Sequence, residues 1–148
     1  MKLQLSAALL AASMVFASPA AAQLEGRSYD LASFWNVSAI DVEDGHFEEY
    51  MTYLSGQWRR VQDYARQQGW ILEYHILANE YPRENEPDLY LVTRFADHAS
   101  TAEARRRDAA INAYLQQTPQ AQDQASGQRG TMRQLGGVML LRELTFGR

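Results

Sequence analysis

The sequence contains no cysteine and a single lysine, Lys2. The lack of cysteine excludes a disulfide framework, thiolate metal sites, iron–sulfur clusters and cysteine nucleophiles. Removal of the first 22 residues would leave no lysine to form a Schiff base. The remaining chain would carry 13 arginines against 18 acidic residues, a net charge of −5. This excess of negative charge disfavours binding to nucleic acid or another polyanion.

The sequence also lacks an apolar run long enough to span a bilayer, which takes about 20 residues. Its longest apolar stretch, residues 5–16, follows Lys2 and precedes Ala20-Ala21-Ala22. This pattern is typical of a secretory signal peptide cleaved before Gln23. We therefore expect residues 1–22 to be removed and the protein to be periplasmic or secreted, without membrane association afterwards. A retained N-terminal anchor is the alternative.

Residues 23–34 have no clear period and are interpreted as a leader, and residues 35–148 as one domain. Alternation and β-branched or aromatic residues predict strands at 35–42, 70–81, 89–95 and 138–146. Apolar residues at steps of three and four predict a helix over 46–68, with Asp44 as N-cap and Gly69 as its left-handed end. Ser100 and Glu103 have capping-box spacing and begin a helix over 100–117. The Gln-rich residues 116–134 are a loop or a marginal helix.

The predicted strands carry apolar residues on both faces. Residues 89–95, for example, place Leu89 and Leu91 on one face and Tyr90 and Val92 on the other. Two helices cover only one face of a four-stranded sheet, so the other face would be an apolar patch in water. A second copy of the chain is the simplest cover, and we expect a homodimer.

Three strings carry a family resemblance: Phe34-Trp35-Asn36-Val37, Gly69-Trp70-Ile71-Leu72 and Glu86-Pro87-Asp88-Leu89-Tyr90-Leu91. With the element order, they resemble exported bacterial members of the dimeric α+β barrel superfamily. The resemblance implies a ferredoxin-like βαββαβ sandwich. In that α+β fold a four-stranded antiparallel sheet has two helices on one face and dimerises through the other. It also implies a ligand pocket between the sheet and its helices, here walled by Tyr50, Tyr53, Trp58, Trp70 and Tyr74.

The residues offer two candidate catalytic groups. His75 shares a strand face with Glu73, and a carboxylate beside a histidine can fix its tautomer for general-base work. Arg94 either pairs with Asp41 across neighbouring strands or orients a substrate. The alternative to a catalytic or binding role is that His75 and Arg94 are structural and that the aromatic residues belong to the core.

Metal and cofactor sites have little support. His46 and Glu49 share a helix face, but two ligands fall short of the three or four that zinc or iron requires, and His98 adds no cluster. The Arg105-Arg106-Arg107 run is flanked by acidic residues and is interpreted as a solvated face. We expect no metal and no cofactor.

Three functions remain open, and whether the protein is an enzyme is not decided. The first is an exported homodimer that binds a small apolar or aromatic molecule. The second is a cofactor-independent monooxygenase or isomerase acting on an aromatic or enolisable substrate, with His75 or Arg94 assisting proton removal. The third is a structural or interaction protein without ligand. The cavities of the protein distinguish them. A closed core favours the third function, an apolar cavity without polar groups favours the first, and a cavity where Arg94 or His75 meets tyrosine hydroxyls favours the second.

Overall fold

A computed structural model describes residues 27–146; the predicted signal peptide, residues 1–22, lies outside the described residues. The elements, in chain order, are β1 (Asp30–Val42), α1 (Phe47–Tyr53), a π-helical segment (Leu54–Trp58), α2 (Arg59–Gln67), β2 (Glu73–Ala78), β3 (Leu89–Phe95), α3 (Thr101–Leu115), α4 (Pro119–Gln128), a 3-10 turn (Arg129–Thr131) and β4 (Arg133–Thr145). Across residues 27–146, no helix combines the length and apolar character needed to cross a bilayer.

The four strands form one antiparallel sheet in the order β2-β3-β1-β4. The expectation of an α+β domain with a four-stranded antiparallel sheet is confirmed. The predicted bounds of β3 are also confirmed, whereas β1 begins at Asp30 instead of residue 35 and β4 at Arg133 instead of residue 138. β1 and β4 pair from Asp30 opposite Thr145 to Val42 opposite Arg133, so the paired partner extends both strands beyond their apolar segments.

The helix predicted over 46–68 is continuous, because α1, the π-helical segment and α2 follow each other without a break in right-handed backbone. We call it the long helix. Gly69 ends it at φ +70°, as predicted. The Asp44 cap is wrong: the residue before α1 is His46, and no side chain caps that end.

Two further helices follow β3, where one was predicted with a tract that could be loop or helix. Ser100 caps α3 as expected, since its Oγ accepts from the Glu103 backbone N–H at 3.2 Å. The Gln-rich tract forms α4, which Thr118 caps by accepting from Ala121 N–H at 3.2 Å, with Pro119 at the first helical position. The prediction of two helices is therefore corrected to three, because this cap and proline start a helix whose polar sequence gives little periodic signal.

The core lies between the long helix and one face of the sheet. Its most buried residues are Ile40, Tyr50, Leu54 and Leu89, each no more than 1% exposed. Ile40 and Leu89 are directly opposite each other in the sheet, so they share the face that the long helix covers.

The opposite face, which we call the open face, carries Trp35, Val37 and Ala39 of β1; Glu73, His75 and Leu77 of β2; Tyr90, Val92 and Arg94 of β3; and Met139, Leu141 and Glu143 of β4. No helix of the described chain packs on this face. Leu77, Met139 and Leu141 are each about half exposed. Along β4 the exposure extends to the other side of the sheet, where Val138 and Leu140 are also more than half exposed.

Candidate functional site

A cleft of about 640 Å³ lies between the long helix and the pair α3 and α4. Side-chain contacts hold its walls together. Tyr64 of α2 stacks on Tyr114 of α3 with ring centroids 4.4 Å apart. Gln57 Nε2 donates to Gln117 Oε1, in the link between α3 and α4, at 3.3 Å. These two contacts join the long helix to the C-terminal end of α3 and the link that follows it.

The cleft has an apolar wall and a polar rim. Its lining residues are Tyr53, Gln57, Trp58, Val61, Asp108, Ile111, Asn112, Leu115, Pro119, Gln122, Asp123, Ser126 and Arg129. Gln122 Nε2 donates to Asn112 Oδ1 at 2.6 Å and ties α4 to α3 beside the opening. Clefts of this size with a few convergent polar groups commonly hold a small molecule.

The π-helical segment sets what the long helix presents to the cleft. One extra residue in a helical turn changes which side chains share a face, and such segments often occur at functional sites. Here Leu54, at the start of the segment, is fully buried against the sheet, while Gln57 and Trp58, at its end, line the cleft. Residues close together in this segment therefore contribute to two different places, the core and the cleft.

Two of the five aromatic residues predicted to line a pocket lie in this cleft, namely Tyr53 and Trp58. Tyr50 is instead a core residue at 1% exposure and stacks on Tyr53 with ring centroids 5.8 Å apart. Trp70 lies beyond the end of the long helix and meets Tyr64 edge to face. The structure therefore does not bring all five together.

Tyr74 connects the sheet to the long helix from outside the cleft. Its ring meets Trp58 edge to face at 5.4 Å, and its hydroxyl donates to Asp63 Oδ1 at 2.8 Å. Partial burial and this hydrogen bond raise the pKa of Tyr74 above its ordinary value. Tyr74 therefore packs on Trp58 from the sheet side, and its hydroxyl stays protonated.

The candidate catalytic residues His75 and Arg94 lie on the open face and share one carboxylate. Arg94 Nε lies 2.6 Å from Glu73 Oε1, and His75 Nε2 lies 3.7 Å from Glu73 Oε2. Arg94 Nη1 also lies 3.6 Å from Glu143 Oε2, and its guanidinium stacks over Trp35. The charge of Arg94 is thus already compensated by two carboxylates.

Glu143 is held in its ionised form by donors on the open face. Ser33 Oγ donates to Glu143 Oε2 at 2.5 Å. This bond, with smaller contributions from Trp35 and Arg94, lowers the pKa of Glu143 below its ordinary value of 4.5.

The predicted pairing of Arg94 with Asp41 is wrong, because the register puts Arg94 opposite Trp35, six positions along β1 from Asp41.

The open-face cluster and the cleft lie on opposite sides of the sheet. Tyr74 and His75 are consecutive in β2, so their side chains point to opposite faces, and Tyr74 is the one that faces the long helix. Within one protomer, His75 and Arg94 therefore do not face a molecule held in the cleft.

The remaining histidines form no larger cluster. His46 Nδ1 lies 2.9 Å from Glu49 Oε2 at the start of α1, and His98 packs on Phe34. Residues 27–146 contain no group of three His, Asp or Glu side chains that could hold a metal ion.

Sequence reasoning missed the second wall of the cleft, above all Asn112, Gln122 and Arg129. The signal that marks this wall is Thr118-Pro119, the start of α4. No protein-family model matches the chain, and no curated protein matches it significantly.

Proposed function

We propose that this protein binds a small apolar or aromatic molecule in the cleft between the long helix and helices α3 and α4. The observation that carries the proposal is the cleft itself. Its volume of about 640 Å³ falls within the 300–1,000 Å³ typical of small-molecule sites. Trp58, Val61, Ile111 and Leu115 supply an apolar wall on which such a body would lose contact with water.

The polar groups of the rim support the same proposal. Asn112 accepts from Gln122 through its carbonyl oxygen, which leaves its NH₂ group to donate to a bound molecule. Gln57 donates to Gln117 through its NH₂ group and keeps its carbonyl oxygen as an acceptor. A weakly polar aromatic compound would find one donor and one acceptor beside the apolar wall.

The test is thermal unfolding of the purified protein with a panel of aromatic compounds, on wild type and on Ile111→Trp, which fills the cleft. A ligand at a hundredfold excess over its Kd stabilises the folded state by about 2.7 kcal/mol, which raises the Tm by several degrees. Ile111→Trp should abolish the rise. Phe47→Trp, at an exposed position of α1 outside the cleft, should keep it. A panel that never raises the Tm, or an equal rise in Ile111→Trp, would contradict the proposal.

We further propose that the chain is an exported homodimer of the dimeric α+β barrel type, in which a second copy covers the open face. The sheet and the element order support this, as do the exposed apolar residues Leu77, Met139 and Leu141. Three charged groups at the centre of this face lie together, since Arg94 is beside both Glu73 and Glu143. Covering them would therefore not leave the arginine as an isolated charge, which is the costly case.

Self-association can be measured by sedimentation velocity at micromolar concentration. We expect a dimer for wild type and a monomer for Met139→Glu or Leu141→Glu, because each variant places an unpaired carboxylate in the apolar contact. Phe47→Glu makes the same change at a half-exposed position away from the open face and should stay dimeric. A folded wild-type protein that sediments as a monomer would refute the dimer.

A further inference from the structure

Arg129 stands at one end of the cleft without an anionic partner. Its guanidinium carbon lies 4.4 Å from the centre of the Tyr53 ring. Among residues 27–146, no carboxylate forms an ion pair with Arg129, and its Nε is buried without a hydrogen-bond partner. An Nε–H group removed from water needs a hydrogen-bond acceptor, and a cation–π contact supplies only part of that stabilisation.

A second unpaired arginine lies nearby. Arg133, the first residue of β4, is 9% exposed, and its Nε also has no partner within the described chain. Its positive charge acts on the buried phenol of Tyr50, which packs on Tyr53. Burial raises the pKa of Tyr50, while the positive charges of Arg133 and Arg129 act against that rise. Two uncompensated cations therefore meet at the Tyr50–Tyr53 pair.

The other charges of the cleft limit what an incoming molecule can carry. Asp108 and Asp123 also line it, and neither forms an ion pair with Arg129 in residues 27–146. These two carboxylates would repel any negative group on a ligand that is not paired with an arginine. The cleft thus combines an apolar wall, a single guanidinium at one end and negative charge elsewhere.

We propose that the ligand of the cleft is a small monocarboxylate, whose apolar or aromatic body lies along Trp58 and Ile111 while its carboxylate pairs with Arg129. This inference rests on the proposed function and adds the chemical class of the ligand. The planar fork of an arginine matches a carboxylate through two parallel hydrogen bonds. Arg133 adds positive potential from behind the site.

The experiment compares carboxylates with their neutral amides by calorimetric titration of the purified protein. The pairs are benzoate and benzamide, 3-phenylpropionate and 3-phenylpropanamide, and 2-naphthoate and 2-naphthamide. For at least one pair, we expect the carboxylate to bind at least tenfold tighter, with the preference shrinking as NaCl rises. Arg129→Gln should remove the preference and leave amide binding within about twofold. Arg60→Gln, which removes an arginine that stacks on Tyr114 outside the cleft, should keep it.

The outcomes separate the two proposals. Equal affinity for carboxylate and amide, with both displaced by Ile111→Trp, would overturn the carboxylate inference and leave the cleft as a site for neutral molecules. No binding of any compound would overturn both. A carboxylate preference that survives in folded Arg129→Gln would also overturn the assignment to Arg129. Arg129→Lys keeps the positive charge but loses the planar pair of donors. Its carboxylate preference should lie between those of wild type and Arg129→Gln.

Discussion

Ser33 of β1 and Glu143 of β4 are joined by a short hydrogen bond, in which the Ser33 hydroxyl donates to the Glu143 carboxylate at 2.5 Å. A carboxylate whose pKa is lowered in the folded protein stabilises it above the ordinary pKa, and this contribution is lost as the pH falls through the folded value. Because the Ser33 hydroxyl is the main cause of the lowered pKa, the acid sensitivity of folding should depend on this serine.

Ser33→Ala should move the pKa of Glu143 up toward 4.5 and reduce the loss of stability as the pH falls below 4.5 and through the folded pKa. The pKa is measured by NMR titration of the side-chain carboxyl carbon, and stability by urea unfolding at each pH. Ser55→Ala, which removes only a contact to a helix carbonyl, is the matched control. An unchanged Glu143 pKa in Ser33→Ala would show that another donor holds the carboxylate.

The roles of some single residues could not be predicted from the sequence. Tyr50 and Tyr53 are three positions apart on one helix, and the pattern predicts the same role for both. The structure makes Tyr50 a core residue and leaves Tyr53 at the cleft, because the sheet approaches one side of the helix and α4 the other. Likewise, the partners of Arg94 follow from strand register, which local sequence does not define.

Among the elements, the long helix and β3 were predictable because each has a strong period and a clear stop. The π-helical segment was not predictable, and for α4 the sequence left a loop and a marginal helix both open. The first changes the helical repeat without changing composition, and the second is polar along nearly all its length. The cleft is formed where these two elements face α3. Its position therefore could not be predicted from the sequence, although Tyr53 and Trp58 were among the residues predicted to line a pocket.

Two glycines of the long helix differ in what they permit. Gly56 lies in the π-helical segment, and an added Cβ would meet nothing within 4 Å, whereas Gly69 ends the helix at φ +70°. Gly56→Ala should raise the free energy of unfolding by about 0.5–1 kcal/mol, because alanine loses less backbone entropy in a helix. Gly69→Ala should lower it by about 1–2 kcal/mol, the cost of a left-handed conformation with a Cβ. Urea unfolding of both variants checks this, and a destabilised Gly56→Ala would mean that the segment needs its glycine.

At the scale of the whole molecule, the cleft and the open face are two separate surfaces. The cleft lies between the long helix, α3 and α4 on one side of the sheet, and the charges and apolar residues of the open face lie on the other. A ligand in the cleft and a second copy on the open face would therefore not compete within one protomer. Met139→Glu and Leu141→Glu, which are expected to prevent the proposed dimer, should keep ligand binding, since Met139 and Leu141 are not among the cleft residues.

The three tryptophans of the chain report these places separately. Trp58 lines the cleft, Trp35 lies on the open face beside Arg94, and Trp70 packs on Tyr64 beyond the end of the long helix. Each indole N–H gives its own signal in a two-dimensional nitrogen–proton NMR spectrum. Titration with a compound that raises the Tm should shift the Trp58 signal most and leave Trp35 and Trp70 nearly unchanged. A spectrum in which Trp35 moves and Trp58 does not would place the ligand on the open face and contradict the account.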